Sequence, residues 1–151
     1  MREYLTSRRI ARVPTWSLGS TLVVILTALG CGDGRPDRVP ISGVVTIDGQ
    51  PLAHGSILFK PANGRSAGGA LDSQGRYFLT YYEKGDGAVP GEYTVAVSAN
   101  EQLGETAMRW HAPRKYSNPE TSELKATVDE PREDLNFELK WDGGKPFTTR
   151  L

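Results

Sequence analysis

The chain has 151 residues with 18 basic and 18 acidic side chains and a single cysteine, which suits one domain and excludes an internal disulfide framework. The charge is uneven. Residues 1–30 hold Arg2, Arg8, Arg9 and Arg12 against Glu3, which leaves the remainder with a net charge of −3 and without the basic face that nucleic acid requires.

The first element is a leader. Four arginines precede the apolar run Leu22-Val23-Val24-Ile25-Leu26-Thr27-Ala28-Leu29, which stops at Gly30-Cys31. A positive segment followed by a short apolar one is the pattern of an export signal, and the run is short for a spanning helix, which needs roughly 20 apolar residues. Residues 1–30 are therefore expected to form a signal helix that is removed. Residues 31–38 then form a polar, flexible tether, because Gly32 to Arg38 contain no apolar side chain to pack. Competing readings of the same stretch are an uncleaved signal anchor and cleavage elsewhere with a free thiol.

Beyond the tether the pattern changes to period two. Ile41, Gly43, Val45 and Ile47 alternate with Ser42, Val44, Thr46 and Asp48, predicting a strand that ends at the Asp48-Gly49 turn. Further strands are expected over 56–60, 67–72, 76–83, 92–98, 123–129 and 135–141. Turns at 72–75 and 130–133, a loop over 84–88 and Pro90-Gly91 lie between them. Along 76–83, Tyr77, Leu79 and Tyr81 fall on one face, and Phe78, Thr80 and Tyr82 on the other. Residues 100–122 break the rhythm. Glu101, Gln102, Ala107 and Met108 there allow one helical turn, and two prolines follow. A segment of this length without regular structure is uncommon in a compact domain, and its Met108, Trp110 and Tyr116 predict that much of it packs. Residues 143–151 read as a loose tail. About seven short strands without a βαβ rhythm predict an antiparallel β-sandwich or partly open barrel, spanning 39–142.

Two resemblances add to this. Ala28-Leu29-Gly30-Cys31 resembles a bacterial lipobox, with Gly30 and Cys31 in place and Ala28 and Leu29 departing from the usual Leu and small residue. It implies cleavage between Gly30 and Cys31 and attachment of palmitate-type acyl chains to Cys31. Two such chains anchor a protein stably where one is marginal. Ile41-Ser42-Gly43-Val44-Val45 with Asp48-Gly49-Gln50-Pro51-Leu52, then Asp72-Ser73-Gln74-Gly75-Arg76-Tyr77, then Pro90-Gly91-Glu92-Tyr93-Thr94-Val95, resemble carboxypeptidase regulatory-like domains. Pro113 to Leu124 is similar to a segment of small planctomycete-type lipoproteins of that class, with Glu123 where they commonly have Gly. The resemblance implies a seven-stranded transthyretin-like (prealbumin-like) sandwich and an accessory role in the cell envelope, on the exported side of the membrane. It implies no catalytic site.

Chemistry-bearing residues are sparse. His54 and His111 have no His-x-x-x-His spacing and no cysteine partner, so they read as exposed or hydrogen-bonded side chains rather than ligands. Glu83, Asp86 and Asp142 lack calcium-loop spacing, and nothing local suggests a Ser-His-Asp triad. Lys60, Lys140 and Asn136 fit an isopeptide bond poorly. No catalytic residue, metal or cofactor is expected. The expected partners are the membrane, through Cys31, and an envelope protein or glycan. The reading is a non-catalytic envelope lipoprotein displaying an interaction or structural module. The alternative is a carbohydrate- or peptide-binding module using Tyr82, Trp110, Tyr116 and the 100–122 segment.

Overall fold

Period-two burial runs through the folded chain. The computed structural model describes residues 34–150, so the signal segment, Gly30 and Cys31 lie outside the described residues. β1 (Ser42–Ile47) turns Gly43 and Val45 inward. It folds back into the short β2 (Gln50–Pro51) through Asp48 and Gly49, at φ 47° and 77°. Positive φ at both central residues is what a two-residue hairpin of matching twist demands. β3 (Ser56–Pro61) buries Ile57 and Phe59 and exposes Ser56, Leu58 and Lys60. β4 (Ala67–Ala70) and β5 (Arg76–Phe78) follow. β6 (Gly91–Ser98) buries Tyr93, Val95 and Val97. β7 (Asn100–Leu103) and β8 (Ala107–Trp110) form a hairpin, and a 3₁₀ turn (Arg114–Ser117) leads on towards β9 (Leu124–Val128). β10 (Phe137–Leu139) and β11 (Phe147–Arg150) end the described chain. Each of the seven expected segments contains a strand, and β2, β7, β8 and β11 are additional.

Two four-stranded sheets form the body. One runs β4-β3-β6-β9, antiparallel throughout. In the other, β1 pairs antiparallel with β2 and β5 and parallel with β10. That parallel pair corrects the expectation of a wholly antiparallel fold. The chain leaves β9 and crosses to the free edge of β1, travelling in the same direction as β1. The crossing is tied down by Arg132 N–H to Pro40 O (3.0 Å), Ser42 N–H to Arg132 O (2.8 Å) and Leu135 N–H to Ser42 O (3.2 Å). A crossover of this kind permits parallel pairing where a hairpin cannot.

Four rings join the sheets. Phe59 on β3 lies 6.2 Å from Tyr77 on β5, 5.9 Å from Phe137 on β10 and 5.7 Å from Tyr93 on β6, centroid to centroid. These are the offset and edge-on separations that aromatic quadrupoles favour. Phe59 and Tyr77 are wholly buried. The Tyr77 hydroxyl donates to Leu135 O at 2.6 Å, so its polar end is satisfied inside the core.

The third sheet overturns two expectations. Residues 100–110 are a hairpin rather than a helical turn, and 147–150 form a strand on β8 rather than part of a loose tail. The reason is tertiary. Phe147 stacks on Trp110 at 6.3 Å and 15°, and Trp110 Nε1–H reaches Thr149 Oγ1 at 3.3 Å. Covering an indole and pairing an open strand edge outweigh the few tenths of a kcal/mol that helix propensity offers per residue.

Truncating Phe59 should be the costliest single core change. Phe59→Ala is expected to lose about 3–5 kcal/mol of stability and Tyr77→Phe about 0.5–1.5 kcal/mol in urea denaturation. An unchanged midpoint for Phe59→Ala would show that this cluster does not join the sheets.

Candidate functional site

The loop after β5 is built around one carboxylate. Asp86 accepts backbone N–H bonds from Tyr81 (2.7 Å), Tyr82 (3.0 Å) and Glu83 (3.0 Å), and Arg38 Nε approaches it at 3.0 Å. Burial acts to raise its pKa, but the three N–H donors and the Arg38 charge outweigh burial and hold it below the ordinary carboxyl value. The loop thereby presents Tyr82 outward, 41% exposed, with Tyr81 packed edge-on beneath it at 4.8 Å.

Three guanidiniums surround the Tyr82 ring: Arg35 at 5.1 Å, Arg38 at 5.3 Å and Arg65 at 5.0 Å. Arg35 also pairs with Glu83 at 3.0 Å. The described part of the tether, 34–38, is therefore held by charge and by an aromatic face, although it has no apolar side chain. Composition alone pointed to a flexible segment because cation–π and ion-pair partners lie far along the chain.

The other two expected surface aromatics are not at a surface. Trp110 is 8% exposed and Tyr116 7%. Arg114 lies over Trp110 at 5.1 Å, and Lys115 lies over Tyr116 at 4.9 Å. The Tyr116 hydroxyl accepts from Lys140 N–H at 3.2 Å. Tyr82, Trp110 and Tyr116 thus occupy separate environments and do not form one platform. The 110–122 segment instead packs across β6, where Ser122 Oγ donates to Val95 O and Ala96 is buried. Exposed aromatic surface on the strand-and-loop segment after residue 75 is limited to Phe78 and Tyr82, on the outward face that alternation assigned to them.

Two shallow clefts flank the sheets. One, of about 500 Å³, lies over β3, β4 and β6 and is lined by Ser56, Leu58, Gly68, Ser98 and Ser117. The other, of about 520 Å³, is lined by Lys60, Glu92, Thr94, Lys125 and Thr127. Neither brings a histidine to a serine. The acids weighed for calcium are separately engaged, with Asp142 held by Lys115 at 2.6 Å. Asn136 Oδ1 accepts from Val44 N–H at 2.8 Å. Among the described residues no group of three or more His, Cys, Asp or Glu side chains is placed to hold a metal ion. Nor is any helix there long and apolar enough to cross a membrane.

No family model, curated protein or solved structure matches the chain. The site therefore stands on its own geometry. One feature had no local signal in the sequence: the fold brings together His54 and His111, whose ring centroids lie 5.1 Å apart.

Asp86 gives this end of the molecule a pH signature. Its pKa is depressed in the folded chain, so the unfolded chain takes up the proton first. Its contribution is fully present above the unfolded value of 3.8 and is lost as the pH falls through the folded one. Asp86→Ala should cost about 1–3 kcal/mol at neutral pH by leaving its donors unpaired. The gap from wild type should narrow in denaturation curves taken in increasingly acid buffer, and a constant gap would contradict this role.

Proposed function

We propose that the chain is an exported lipoprotein of the cell envelope, anchored by acyl chains on Cys31, and that its β-sandwich is a non-catalytic interaction or structural module. The observation that carries this reading is the order of parts. Four arginines, an apolar run and Gly30-Cys31 come first, and a single folded unit begins directly afterwards at Gly34. An acylated cysteine also accounts for the lone thiol of a chain that uses no disulfide.

The finer fold reading is a transthyretin-like, carboxypeptidase regulatory-like sandwich. It is supported by where the motif residues fall. Asp48-Gly49 makes the β1–β2 turn, Asp72 to Gly75 closes the turn into β5, and Pro90-Gly91 opens β6. Glu123 adopts φ 60°, the left-handed region that favours glycine, at the place where the resembling lipoproteins commonly carry Gly.

A second reading, a carbohydrate- or peptide-binding module, is favoured at one place only. Tyr82 is exposed, and Arg65 lies over its ring with no carboxylate partner among the described residues. An aromatic face edged by guanidinium suits an acidic glycan or peptide. Loss of acidic-glycan retention in Tyr82→Ala and Arg65→Ala would support it.

Metabolic labelling with a fatty-acid analogue should mark the wild-type protein, and Cys31→Ser should abolish both the label and membrane retention. Retention that persists in the variant would refute the anchor. Separately, Glu123→Gly should be neutral or stabilising by up to about 1 kcal/mol in thermal unfolding, whereas a clear loss would argue against left-handed strain at this turn.

A further inference from the structure

We propose that His54 and His111 form a two-imidazole site for a borderline-soft divalent cation of the zinc type. They are the only histidines in the chain, and the fold ties both to Ala99. Gly55, at φ 124°, presses its backbone onto this point: a Cβ there would lie 2.3 Å from Ser98 O and 2.9 Å from Ala99 Cα. His54 is carried with it. From the other side, His111 N–H donates to Ala99 O at 2.8 Å. Backbone contacts around a buried residue thus bring the two histidines together.

That separation suits a shared ion. A zinc–nitrogen bond is about 2.1 Å, and the ring centroid lies roughly 1.1 Å beyond the nitrogen, so two imidazoles at a tetrahedral angle have centroids about 5 Å apart. The observed distance is 5.1 Å, with the planes inclined at 38°.

Glu101 supplies the outer partner. Its Oε2 lies 3.0 Å from His111 Nε2. With the proton on Nε2 donated to this carboxylate, Nδ1 keeps its lone pair for a metal. A carboxylate on the far nitrogen is the usual means by which proteins fix the tautomer of a ligating histidine. Imidazole donors select zinc, copper or nickel over magnesium and calcium, which prefer oxygen. Two protein donors are fewer than the four of a closed structural site. His54 is exposed and the His111 side chain 21% exposed, so water or a donor from a bound partner completes the shell. The site is of the exchangeable kind, and it depends on neither acylation nor export.

The test is a Zn²⁺ titration of the full chain by calorimetry. The chain carries Cys31→Ser, so that no thiolate competes, and is first stripped with chelator. One saturable site is expected, with no heat from Mg²⁺ at the same concentrations. His54→Ala and His111→Ala should each weaken binding at least about tenfold, and Glu101→Gln by about 10–100-fold. Histidine ring ¹⁵N shifts should move at both residues on addition of Zn²⁺. His54 is exposed, so His54→Ala should retain the parent melting temperature in chelator. This variant carries the test even if His111→Ala does not fold. Absence of saturable binding in the parent, or full binding by His54→Ala, would overturn the site. An unchanged affinity in Glu101→Gln would overturn the tautomer assignment.

Discussion

The two-sheet body of this fold depends on the contact that Phe59 makes across the gap between the sheets. A domain with no disulfide must hold its sheets together by non-covalent contact, chiefly buried apolar area. Four rings, contributed by β3, β5, β6 and β10, form an aromatic part of that area. Two of these rings are tyrosines, which must also find partners for their hydroxyls. Tyr77 reaches Leu135 O, and Tyr93 reaches Val89 O at 2.6 Å. These bonds fasten the core to the chain entering β10 and to the chain entering β6. Burial raises the Tyr77 pKa far above that of a free phenol, against a smaller opposing pull from Arg132. The hydroxyl therefore stays a donor at any ordinary pH. The same cluster supplies the apolar contact and fixes the path of the crossover that makes β10 parallel to β1.

Legibility in the sequence followed the range of each signal. Alternation along 92–98, 124–128 and 135–139 is a local property, and the core-facing residues lie where it puts them, while Ala96, on the opposite face of 92–98, is buried as well. The turn at Asp48-Gly49 was equally local. Direction is not. Period two says that Phe137 and Leu139 share a face, but nothing about whether their strand runs with β1 or against it. The third sheet was hidden for the same reason. Glu101 and Gln102 carry no apolar alternation, and all of β7 is exposed. Its hairpin with β8 exists because Phe147 and Thr149, near the end of the chain, cover Trp110.

The site residues show the same limit. Tyr82, Trp110 and Tyr116 look alike in a sequence, since an aromatic side chain can fill a core or face solvent. What separates them is which distant segment lies on top. Trp110 is covered by the C-terminal strand, and Tyr116 is buried in the segment that packs across β6. Tyr82 rests edge-on over Tyr81 and is otherwise met by arginines, two of them from a stretch whose composition pointed to no structure at all. The histidine pair is the extreme case, because neither residue has a local partner, and only the approach of Gly55 to Ala99 reveals them as neighbours.

The two ends of β6 give these features a common axis. At its start, Arg65 and Tyr81 line one cleft with Val89 to Tyr93, which places the Tyr82 cluster there. Just past its end, Ala99 holds His111. Eight residues of strand at about 3.3 Å each separate the two by roughly 26 Å. Arg35 and Arg38 are pinned at the first end, so the arginine-edged tyrosine and the histidine pair are separate surfaces at opposite ends of one strand, each held by a segment distant in the chain.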